Sequence, residues 1–228
     1  MNISEIKLLL VNEDPQLRLR GLVALKDYEA ETAVPILIGL QQDEAFLVRS
    51  FVAMGLGRKR NPVAYAALLE MLRQEPDHNV QAEIANSLGL YGAIAAEALV
   101  TLFTENSNWL VRRSILAIMP EMKVPQKLMN VTLEALKDTD ETIVQAGIST
   151  LGLLANTSEA AQALAALLPF TADQNWRSRM SAAYALKPFR AADIESALAE
   201  QAQTALAQLR QDPQHQVVAA ALEDLLPT

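Results

Sequence analysis

A short apolar face recurs along the chain between polar turns. From Asp43 to Gly57 the sequence reads Asp-Glu-Ala-Phe-Leu-Val-Arg-Ser-Phe-Val-Ala-Met-Gly-Leu-Gly. Val48, Val52 and Leu56, with the small Ala53 and Gly55, fall on one side of a helix. Degenerate copies return about every 33 residues. Set on the apolar residue that precedes the arginine, they fall at Leu19, Val48, Val80, Val111, Ile143, Ser178 and Val217, with separations of 29, 32, 31, 32, 35 and 39. A period of this length predicts a stack of small helical units.

Each unit opens with an acidic or proline-bearing turn: Asp14-Pro15, Asp43, Pro76-Asp77, Asn106 to Asn108, Asp138 to Asp140, Asp173 and Asp212-Pro213. Such residues cap helix starts and suit the positive end of the helix dipole. The first helix of a unit, A, is expected to end at glycine: Gly57, Gly89 to Gly92, or Gly152. A second helix, B, follows, with Pro35, Pro62 and Pro125 near its start. Leu37, Leu40, Leu68, Leu69, Leu72, Leu133 and Leu136 supply its apolar stripe. One helix pair cannot cover its own apolar face, so it must stack on its neighbours and the ends need caps. Ile3 to Val11 reads as an unpaired B helix at the front. Gln214 to Leu226, with Glu223 and Asp224 turned outward, reads as a final A helix. The count is about fourteen helices in one domain over residues 1–228: a cap helix (1–11), helix pairs (12–211) and a C-terminal cap helix (212–228).

Composition sharpens this picture. The chain has 228 residues, 51% hydrophobic and only 5% aromatic, which suits helices packed on helices and suits a sheet poorly. No Gly/Ser linker interrupts the repeat. Zero cysteines exclude disulfides and thiolate chemistry and point to an intracellular, cytoplasmic protein. A net charge of -8 argues against broad nucleic-acid binding. The apolar run Leu8 to Val11 is too short for a signal peptide or membrane insertion.

No catalytic set assembles. His78 and His215 are the only histidines, each near a different helix start, so neither a two-histidine metal site nor an oriented general base is formed from them. Gly55 to Arg60 is not a phosphate loop, because no strand precedes it. Asp138, Asp140 and Glu141 lack the ligand count and glycine of a calcium loop and read as an acidic first helical turn. Neither catalytic residues nor a metal site are assigned.

Pairwise comparison of the units reveals a second period. Lys+Arg minus Asp+Glu is -2 for residues 12–42, +2 for 43–74, -5 for 75–105, +3 for 106–137, -4 for 138–170, +3 for 171–190 and -5 for 191–228. The even units also place an aromatic two residues before the register position and an arginine one residue after it: Phe46 with Arg49, Trp109 with Arg112, Trp176 with Arg179. A spacing of three puts the two on one helix face, within reach of a cation-π contact. Odd units carry Leu17/Arg20, His78/Gln81, Glu141/Val144 and His215/Val218 there. Even units have basic A-to-B turns: Arg58-Lys59-Arg60, Lys123, and Lys187 with Arg190. Two readings stand. In one, each arginine reaches an acidic turn of the next unit, the aromatic plugs the seam, and alternating charge keeps the register. In the other, Phe46, Arg49, Arg58, Lys59, Arg60, Trp109, Arg112, Trp176 and Arg179 line one edge and receive an acidic partner or anionic ligand, the aromatic-arginine pairs standing about 20 Å apart for layers of about 10 Å.

Asp43 with Val48-Arg49 and Ala53 to Gly57, Trp109-Leu110-Val111-Arg112, and Asp77 with Val80 to Gly89 together resemble HEAT repeats, and more narrowly the short HEAT-like repeats of the phycobilisome lyase family. The resemblance implies an all-α fold, a right-handed α-solenoid of about six to seven HEAT-like helix pairs. It implies a non-enzymatic scaffold that binds another protein, a phycobiliprotein or an assembly or turnover factor of a cyanobacterial phycobilisome or photosynthetic complex, without a cofactor. It equally admits a phycobilin lyase subunit or chromophore-detaching factor, working as a heterodimer, in which arginines meet the propionates of a bilin and aromatics its pyrrole rings. The cysteine or histidine cluster of isomerising lyases is absent. A scaffold for iron-sulfur or photosystem assembly fits the same sequence.

Overall fold

Regular structure is helical throughout the computed structural model, which describes residues 1–191 and 193–223. Among these residues there are fourteen α-helices, five short 3-10 turns and no strand. They fall into two compact units, Met1–Met122 and Lys123–Thr228.

The first unit contains α1 (Ile3–Leu10), α2 (Pro15–Ala24), α3 (Ala30–Ile38), α4 (Phe46–Lys59), α5 (Pro62–Gln74), α6 (His78–Gly89), α7 (Ala96–Glu105) and α8 (Trp109–Ile118). Helices α2, α4, α6 and α8 pack on one another in chain order and are the A helices; α1, α3, α5 and α7 pack against them as B helices. The front helix α1 starts with a reciprocal box in which Asn2 and Glu5 each accept the other's backbone N–H at 2.9 Å. Pro62 opens α5, where its missing N–H has no partner to lose. Ile6, Leu25, Leu37, Val48, Val52, Leu56, Leu68, Ile84, Leu88, Leu99, Phe103 and Ile115 are buried in this unit. Each such side chain contributes about 1.5–3 kcal/mol.

The second unit contains α9 (Pro125–Ala135), α10 (Glu141–Leu153), α11 (Ala160–Leu167), α12 (Trp176–Leu186), α13 (Ser196–Leu209) and α14 (His215–Leu222). Here α10, α12 and α14 form the A series, with α9, α11 and α13 against them. Its core is Ile143, Ile148, Leu151, Leu164, Leu167, Leu186, Phe189, Leu206 and Val217. Helix α14 starts where the final A helix is expected, while Asp224 and Leu226 lie outside the described residues.

Four expectations need correction. The register in the first repeat is Leu17-Arg18, not Leu19-Arg20: Arg18 is buried and Arg20 exposed. The shift makes the first interval 31 residues, in line with those that follow. Second, α6 ends at Gly89 as expected, but Gly57 and Gly152 do not release the chain from their helices, since α4 and α10 run beyond them. They sit where neighbouring A helices cross. A Cβ on Gly57 would stand 2.7 Å from the Ser87 Cβ, and one on Gly152 would stand 2.8 Å from the Ala185 carbonyl oxygen. Left-handed backbone occurs at Gly92, within the expected exit after α6, and otherwise at Arg60 and Lys123. Third, Pro35 lies inside α3, where it removes one intrahelical bond from a helix of only nine residues. Fourth, the buried row of α5 is Ala64, Ala67, Leu68 and Met71; Leu69 and Leu72 stay half-exposed, as do Leu133 and Leu136 further on.

Candidate interaction surface

The arginines that follow the register position are tied to the turns on both sides of them. Arg49 donates from one Nη to the carbonyls of Asp43 and Glu44 in its own turn, at 2.8 and 3.2 Å, and from Nε and the other Nη to Glu75 of the next turn, both at 2.8 Å. Arg18 repeats this with the carbonyls of Asn12 and Glu13 and the carboxylate of Asp43. In the second unit Arg179 repeats it with Asp173, Gln174 and Asp212. The hydrogen bonds they donate to Glu75 and Asp212 hold the Arg49 and Arg179 guanidiniums above the ordinary arginine range. In the third repeat an amide takes the arginine's place: Gln81 donates to the Glu75 carbonyl and accepts from Asn106. In the fifth, Val144 stands there and its neighbour Gln145 bonds Ser178 and Ser181 of α12.

The acidic partner has a second task. Asp43, Glu75, Asn106, Asp138, Asp173 and Asp212 each accept, through the side chain, the backbone N–H two residues on, at the start of the next A helix. Asp14, Asp77, Asn108, Asp140 and Asn175 then cap the helix itself. The turns at Asp43, Glu75 and Asp212 therefore each bond the start of a helix and receive the arginine of the preceding A helix. The signal was present in the sequence as an Asp, Glu or Asn six residues before each ladder position, a spacing the register on the valine alone does not reveal.

The candidate residues separate accordingly. Arg49 and Arg179 belong to the ladder. Arg112 bonds the Asn106 carbonyl at 2.7 Å and lies 5.1 Å from the centre of the Phe103 ring. The three-residue aromatic-arginine pairs are thus replaced by others: Arg112 with Phe103, and Arg177 over Trp176 at 4.7 Å. The guanidiniums bond back to the turn that precedes their own helix. Phe46, Trp109 and Trp176 share one structural place, the first residue of an A helix. Phe46 and Trp109 are 44% and 46% exposed, so they do not plug a seam; Trp176 is half-buried.

The basic triplet is not a turn: Arg58 and Lys59 end α4, and Arg60 makes the left-handed exit at φ 47°. Lys59 donates to the carbonyls of Lys26 and Tyr28 and so ties α4 to the preceding pair. Arg58 and Arg60 are exposed. Burial raises the Glu83 carboxyl, against the charge of Arg58, and pushes the Tyr91 hydroxyl up to about 12, against the charge of Arg60. Exposed aromatic and cationic groups thus remain on the first unit once core and ladder are complete. No helix among the described residues is long and apolar enough to cross a membrane.

Residues 5–89 and 96–187 match the family described as HEAT repeats. No curated protein matches the sequence. Among solved structures, the complex of CpcE and CpcF of phycocyanin lyase from Nostoc sp. PCC7120 is similar at 18% identity, over 99% of this chain and 95% of that chain, with a TM-score of 0.55. The Escherichia coli protein YibA is similar at 16% identity, over 100% of this chain and 84% of that chain, with a TM-score of 0.65. At these identities the likeness is one of fold.

Proposed function

The chain belongs to the HEAT-repeat family, and from that premise we propose that it is a non-enzymatic scaffold that binds another protein in phycobilisome or photosynthetic-complex assembly or turnover. The observation that carries this reading is the exposure of Phe46 and Trp109 at equivalent helix starts, where neither core nor ladder uses them. Half-exposed aromatics at fixed intervals are the groups that anchor protein interfaces. Arg58 and Arg60 add positive charge for an acidic partner. The test is capture of purified phycobiliprotein subunits by the immobilised protein, with Phe46→Ala and Trp109→Ala alongside. Capture lost in the variants supports the reading, and no capture by the wild type removes the phycobiliprotein as partner.

A second reading, a subunit of a bilin lyase or a chromophore-detaching factor, is favoured by the likeness to the phycocyanin lyase complex. It is tested by co-expression with bilin synthesis. A visible absorption band on the purified protein supports it, and a colourless protein with phycobiliprotein capture intact leaves the scaffold.

A further inference from the structure

An apolar pocket on the first unit opens between the end of α2 and α4, and no carboxylate stands in its lining. Phe51, Met54, Gly55 and Arg58 form its α4 wall; their spacing places them on one face of the helix. Val23, near the end of α2, and Lys26, in the turn that follows, stand on the other side. The floor is Leu25 and Leu37, both 1% exposed. A Cβ on Gly55 would stand 2.9 Å from a Leu37 methyl group, so glycine at this position lets the Leu37 side chain reach the floor.

Size and charge narrow what can enter. The pocket holds about 60 Å³. A single water needs about 10–15 Å³, and sites for small molecules and cofactors measure about 300–1,000 Å³, so this one suits a single apolar side chain. Its walls leave apolar surface in water: Val23 is 48% exposed, and Phe51 and Met54 are half-buried. Three cations line it: Lys26, Arg58 and Lys59. Lys59 is held by the carbonyls of Lys26 and Tyr28, and the charge of Arg58 also acts on Glu83 of α6. The Lys26 ammonium is exposed and, among the described residues, has neither a hydrogen bond nor an ion pair.

We propose that this pocket anchors an acidic segment of a partner protein: one leucine, isoleucine or methionine side chain enters between Val23, Phe51 and Met54, and a carboxylate beside that residue pairs with Lys26. The inference rests on the acidic-partner reading above and gives it a point of attachment. An apolar anchor in a desolvated pocket supplies affinity, and the charge at the rim sets orientation and partner choice.

The test uses the full chain and a fluorescent synthetic peptide with a central leucine between glutamates, read by anisotropy. Two control peptides change one feature each: alanine replaces the leucine, or lysines replace the glutamates. Binding should be about tenfold weaker with alanine, as loss of one buried leucine side chain predicts. It should also be about tenfold weaker for Val23→Glu, which puts a carboxylate on the pocket wall. Lys26→Glu, shown folded by circular dichroism, should lose the glutamate peptide and gain the lysine one; the backbone carbonyl that holds Lys59 is kept in this variant. Equal binding of the leucine and alanine peptides, no binding of the leucine peptide by the wild type, or an unchanged preference in Lys26→Glu overturns the proposal. The peptide arms contain no phycobiliprotein, so the expected peptide pattern with failed phycobiliprotein capture supports the pocket and removes only that partner.

Discussion

Arg49 meets both carboxylate oxygens of Glu75 at 2.8 Å, and Glu75 in turn accepts the backbone N–H of Asp77 at the start of α6. The Glu75 side chain is only 3% exposed, so this pair fixes where one helix pair ends and the next begins. Removing the cation alone leaves a buried carboxylate without its partner. Arg49→Ala should destabilise the protein by about 2–4 kcal/mol, read by urea denaturation, and Glu75→Gln in that background should recover part of the loss. A wild-type midpoint for Arg49→Ala would show that the ladder follows the packing and does not support it.

Gly152→Ala provides a test with opposed signs. Helix propensity alone favours alanine over glycine by about 1 kcal/mol, whereas the added Cβ meets the Ala185 backbone at 2.8–2.9 Å. Backbone yields less readily than a side-chain tip, so a net loss of about 1–3 kcal/mol is expected. A raised melting temperature would mean that α10 and α12 separate at little cost.

Acidification should weaken the second unit through Asp212. The Arg179 hydrogen bond holds its folded-state pKa below the ordinary 3.8. The unfolded chain therefore takes up this proton at higher pH than the folded chain does. The contribution is full above 3.8 and is lost as pH falls through the lower folded-state value. Denaturation series between pH 6 and pH 2, compared with Asp212→Asn, should show a smaller acid loss in the variant; parallel curves would count against the linkage.

The three members of the basic triplet should not behave alike. Lys59→Glu removes the cation that bonds the Lys26 and Tyr28 carbonyls and should lower stability by about 1–2 kcal/mol. Arg58→Glu, on an exposed site, should stay within about 0.5 kcal/mol. Equal melting of the two variants would place Lys59 outside the packing.

Phe46→Ala and Trp109→Ala should each change stability by no more than about 1 kcal/mol, because nearly half of each side chain is already in water. A large fall in melting temperature would identify them as packing residues and remove them from the binding surface.

Local chemistry was legible in the chain itself. Apolar residues at helical spacing, acidic turns and prolines determined the repeat and the fourteen helices, because each depends on contacts within a few residues. The capping of α6 by Asp77 and of α10 by Asp140 needed nothing beyond the turn. Tertiary structure decided what local spacing could not. It moved the first register from Leu19 to Leu17 and assigned Gly57 and Gly152 to helix crossings. It also sent Arg49 to Glu75, and left Leu69 and Leu72 facing a groove. These outcomes join residues about 26 to 33 positions apart. They depend on the angle and distance at which one helix pair meets the next, and that is settled only when side chains of both pairs pack together.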